Sequence, residues 1–127
     1  MIYKTILFGI GTLLSISMSS VWAQDAEYCE GKYDTASLRQ CAIADYKLEE
    51  HKINRVYKEL MATLSSKDKQ RLKAAQLAWI DFRIKDCDFQ TGWETGTIGP
   101  LMSMSCETTH TEERRKTLEE RLESERK

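Results

Sequence analysis

The chain predicts an all-α domain, an antiparallel helical hairpin plus a third helix stapled by two disulfides, and three observations carry that prediction. Apolar residues from Leu38 to Leu64 recur at helical spacing, with no glycine or proline among them. Ser65-Ser66-Lys67-Asp68 then has the Ser-x-x-Asp form of a capping box, which starts a new helix after a tight turn. Four cysteines in a short chain with an export leader supply an even set for pairing in an oxidising compartment.

The leader comes first. Lys4 is a positive n-region, Thr5 to Met18 is apolar apart from glycine, serine and threonine, and Val21-Trp22-Ala23 offers a cleavage site. Residues 1–23 therefore read as a signal peptide, and 24–127 as a single helical domain that is periplasmic or secreted. The apolar run is shorter than the roughly 20 residues that span a bilayer, so no membrane insertion is expected after processing. No cysteine stands at the cleavage site, which argues against a lipid anchor on Cys29. The near balance of 19 basic and 20 acidic residues creates no field for nucleic acid or a membrane surface.

The first helix is expected from Thr35, a possible cap, to Leu64, with Leu38, Cys41, Ala42, Ile53, Val56, Tyr57, Leu60, Met61 and Leu64 inward. At 1.5 Å per residue it is roughly 43 Å long and needs a partner to persist in water. The second helix folds back on it and carries Leu72, Ala75, Trp79, Ile80, Arg83, Ile84 and Cys87. A turn centred near Ser65 and Ser66 places Arg83 close to Leu48, so Asp45 or Glu49 is expected to supply the carboxylate that a buried guanidinium requires. Trp79 beside it reads as core in preference to a binding platform.

From Thr91 to Ser105 three glycines and the only proline interrupt the pattern, and regular structure is expected to stop. Trp93, Glu94, Met102 and Met104 lie in that segment, which is either a recognition loop presented by a stapled scaffold or a plain connector. A third helix is expected from about Thr108 to Thr111 onward, with Leu118 and Leu122 inward. Its outward charges alternate at i,i+4: Glu112 with Lys116, Arg115 with Glu119, Glu123 with Lys127.

No catalytic constellation emerges. His51 and His110 lack nucleophilic or metal-type neighbours at useful spacing, and adjacent carboxylates such as Glu49-Glu50 point to different sides of a helix. The cysteines lack the Cys-x-x-Cys hooks of zinc and redox sites. No enzyme, metal or cofactor is therefore expected. Three cysteine pairings are possible. The expected one is Cys29 with Cys41 and Cys87 with Cys106, two local closures; the rival joins Cys41 to Cys87, which the hairpin register also brings within reach, and leaves Cys29 with Cys106.

Gln76, Trp79, Arg83 and Cys87 place an amide, an indole, a guanidinium and a thiol on one helix face. Together with Cys29, Cys41, the Ile53-Asn54-x-x-Tyr57-x-x-Leu60 run, and Cys106 followed by Thr111, Arg114 and Leu118, this pattern resembles the LprI-type lysozyme inhibitor family, from Cys29 to Leu122. On that resemblance Tyr57, Gln76, Trp79 and Arg83 belong to the structural core. The function it implies is binding and blocking lysozyme-type muramidases. The other reading is an adaptor or immunity protein for a different envelope protein.

Overall fold

The structure is a computed structural model in which Cys29, Gly31 and residues 33–127 are described; the expected signal peptide lies outside them. Among the described residues three helices follow in order: α1 (Thr35–Thr63), α2 (Ser66–Thr91) and α3 (Ile98–Glu125). Asp34, not Thr35, caps α1, its carboxylate accepting from the Ser37 amide at 3.0 Å. An Asp one position upstream satisfies the same orphan amide and also favours the positive end of the helix dipole. Leu64 and Ser65 are both extended, which makes the turn. Ser65 then caps α2 as expected, accepting from the Asp68 amide at 3.2 Å.

The third helix starts ten residues earlier than its expected lower bound, at Ile98 instead of Thr108. Pro100 sits in its first turn, where the missing N–H has no intrahelical partner to lose. Gly99 is buried there, and a Cβ on it would stand 2.7 Å from the Glu94 carbonyl oxygen. The residues that read as a long irregular loop are thus a short turn, 92–97, and a glycine-dependent helix start. Gly96 makes that turn with a φ of 72°.

The chain runs out along α1, back along α2 and out again along α3, so that α1 and α3 are parallel. These two pack most closely, while α2 leans on α3 and diverges from α1 beyond their turn. Ile53, Val56 and Leu60 of α1 meet Leu118 and Leu122 of α3 in the buried core, with Tyr57, Leu64, Leu72 and Trp79 partly buried against it. Leu38, expected inward, is exposed near the open end of α1. At the far end, Arg126 reaches Glu59 at 3.1 Å and continues the parallel register.

Both disulfides of the expected pairing are present, Cys29–Cys41 and Cys87–Cys106. The second joins the last turn of α2 to the first half of α3 and so holds the Gly96 turn closed. The rival pairing fails because α3, not α1, lies against Cys87.

Candidate functional site

α2 buries only two residues: Cys87 is bridged to α3, and Arg83 reaches both α1 and α3. Arg83 is 5% exposed. Its Nη1 donates to Glu50 and, at 2.7 Å, to the Thr111 hydroxyl; its Nη2 lies 3.5 Å from both Glu107 Oε2 and the Tyr46 hydroxyl. The guanidinium carbon stands 5.0 Å from the Trp79 ring centroid, at cation–π distance. Thr111, fully buried, donates onward to the Glu107 carbonyl at 2.7 Å. Burial opposes the Arg83 cation, but the Glu50 hydrogen bond and charge more than offset it, so its pKa is raised.

The expected partners, Asp45 and Glu49, are corrected to Glu50 and Glu107. The register between α1 and α2 is shifted by about two residues, and on a helix one residue turns a side chain by about 100°. Glu49 faces α3 instead, where its Oε2 accepts from Arg115 Nε at 2.9 Å while Lys52 holds its Oε1 at 2.6 Å. Burial alone would raise the Glu49 pKa, but those two hydrogen bonds outweigh it and hold the carboxyl below the usual glutamate range. A lowered folded pKa contributes stability that is complete above the ordinary glutamate pKa and is lost as pH falls through the lowered one. Glu49→Gln should therefore flatten the acid limb of a plot of urea midpoint against pH. An unchanged slope would assign that limb to other carboxylates.

The four residues of the Gln76, Trp79, Arg83, Cys87 stripe now have individual tasks. Gln76 Oε1 accepts from Arg114 Nε at 3.1 Å, Trp79 leans on the apolar core, Arg83 bonds Thr111, and Cys87 is bridged to Cys106. The stripe stitches α2 to the other helices. Cys87, Cys106 and His110 place ligand-type atoms within 4.8 Å of one another, yet both sulfurs are consumed in the disulfide and cannot act as thiolate ligands. Of the expected outward pairs on α3, Glu112–Lys116 and Arg115–Glu119 form.

The four residues assigned to a recognition loop are not gathered on one loop. Trp93 and Glu94 stand on the 92–97 turn, whereas Met102 and Met104 belong to α3, two positions apart and so on different sides of it. Trp93 is 73% exposed, its indole N–H donating to the Gln90 carbonyl at 2.7 Å. Met104 lines a groove between the first turns of α1 and α3, with Ile43, Pro100 and Leu101. The sequence reading missed the exposed Phe82 and Phe89 on the flank of α2. Their seven-residue spacing was the available signal. Phe82 packs edge-on against His110, which bonds Asp86 at 2.9 Å.

The family described as lysozyme inhibitor LprI matches residues 28–118, which take in both disulfides and most of the three helices. A protein of Rhizobium meliloti (strain 1021), described as uncharacterized, is 28% identical over 111 residues, covering 76% of this chain and 79% of that relative. No solved structure matches. Among the described residues, no helix is long and apolar enough to cross a membrane.

Proposed function

We propose that this chain, which belongs to the LprI lysozyme inhibitor family, is exported after cleavage at Ala23 and binds and blocks a lysozyme-type muramidase. The observation that supports a binding role for the stapled end is the exposure of Trp93 and Phe89, at 73% and 84%, beside the turn that Cys87–Cys106 closes. Large aromatics held on a rigid scaffold supply contact area at low entropic cost and are the commonest anchors of protein interfaces. Glu94 on the turn and Asp86 on α2 add negative charge to that end, which favours a cation-rich partner and makes binding salt-sensitive. The contact residues are Trp93 and Glu94, joined by Phe89 and Met102 on the adjoining helices.

Purified, disulfide-bonded protein should inhibit a basic muramidase in a cell-wall lysis assay, with inhibition weakening as salt rises. Trp93→Ala and Glu94→Ala should reduce inhibition while leaving the melting temperature nearly unchanged. If the parent protein inhibits no lysozyme type, the inhibitor reading is wrong; if it inhibits and both variants inhibit equally well, the contact surface lies elsewhere on the helices.

A further inference from the structure

The flank of α2 opposite Phe82 and Phe89 carries a second apolar strip. At about 100° per residue, Lys73, Leu77, Ile80, Ile84 and Asp88 fall within an arc of about 80°, and they extend over roughly 24 Å. Leu77 is 60% and Ile84 50% exposed, although their 4,3,4 spacing from Lys73 is that of a helix-pairing seam. The strip borders the groove of about 230 Å³ left where α2 diverges from α1, lined by Ile53, Tyr57, Leu77 and Ile80 among others. Neither the Lys73 nor the Asp88 side chain has a hydrogen-bond or ion-pair partner among the described residues.

Charge is polarised along the same helix. Its first half holds Lys67, Lys69, Arg71 and Lys73 against Asp68, and its surface from Asp81 on holds Asp81, Asp86 and Asp88 against Lys85. A helix with that pattern is complementary to itself only when reversed.

We propose that α2 pairs antiparallel with α2 of a second copy of this chain, about a two-fold axis between Ile80 and Asp81. That register sets Leu77 against the partner's Ile84 and Lys73 against the partner's Asp88, each contact occurring twice, as an isologous interface requires. A parallel pairing sets basic half against basic half and is excluded by repulsion. The strip is narrower than the 20–30 residues per side of a standard interface, so the dimer is weak and concentration-dependent. It uses the other flank of α2 from the proposed inhibitory surface and stands independently of that reading.

Sedimentation equilibrium of the full disulfide-bonded chain, over a concentration series at low and high salt, tests this. The parent should associate reversibly to a dimer, less so at high salt. Leu77→Asp should make it monomeric, with its circular dichroism unchanged. Lys73→Asp alone and Asp88→Lys alone should each weaken the dimer at least about tenfold, whereas Lys73→Asp with Asp88→Lys should restore it, because the swap rebuilds both pairs. A parent that stays monomeric throughout overturns the proposal. So does a double swap no better than the singles, or a dimer lost through Phe82→Asp and not through Leu77→Asp.

Discussion

Arg83→Ala is expected to lower the free energy of unfolding by about 3 kcal/mol, because breaking one side of a buried ion pair strands the other. Removing the guanidinium leaves Glu50 and Glu107 facing each other with no cation between them and takes the donor from the buried Thr111 hydroxyl. Trp79 loses the charge over its ring as well. Glu50 and Glu107 keep some contact with water, which holds the cost to the lower part of the range for such deletions. Arg83→Lys should recover little, since a single ammonium cannot serve Glu50, Thr111 and Glu107 from two prongs. Arg83→Met combined with Glu50→Leu should be more stable than Arg83→Ala, because it removes a stranded charge and refills the space. Urea denaturation reads all three. A loss below about 1 kcal/mol for Arg83→Ala would mean that the cluster is solvated and contributes as weakly as a surface pair.

The second large effect belongs to Cys87–Cys106. Replacing both cysteines by alanine should cost about 3 kcal/mol on the chain-entropy argument for a closed loop of this size. The loss should also be local. The bridge holds the first turns of α3, where Gly99 and Pro100 give the helix little propensity of its own. Hydrogen exchange over residues 98–106 should therefore rise more than over the core of α1. Replacing Cys29 and Cys41 should leave that segment protected, since their bridge closes a separate loop at the start of α1. Equal loss of protection in 98–106 from either replacement would show that the fold melts as one unit and that the bridge has no special hold on α3.

How much of this was legible depended on how locally each feature is encoded. The Ser65–Asp68 capping box, the end of α1 within one residue of the expected Leu64, and the inward Leu118 and Leu122 follow from spacing along one segment. The expected pairing of the cysteines, two local closures, is the one formed, and the rival was ruled out only by which helix lies against Cys87. The start of α3 was misread because glycine and proline mark a break by propensity alone. Here Pro100 occupies the one helical turn that tolerates it, and Gly99 is required by the approach of the Glu94 carbonyl.

The partners of Arg83 show the same boundary at the level of a single residue. That a buried guanidinium needs a carboxylate follows from the sequence and the cost of desolvation, and the sequence by itself also determined three helices, their order and the Ser65 cap of α2. Which carboxylate serves depended on a register shift of about two residues and on α3 entering beside α2 to contribute Glu107 and Thr111. Helix identity is written in neighbours three and four places apart. The register between helices and the choice of which two pack most closely are decided by side-chain fit across the whole molecule, and on a helix an offset of one residue already turns a charge toward a different partner.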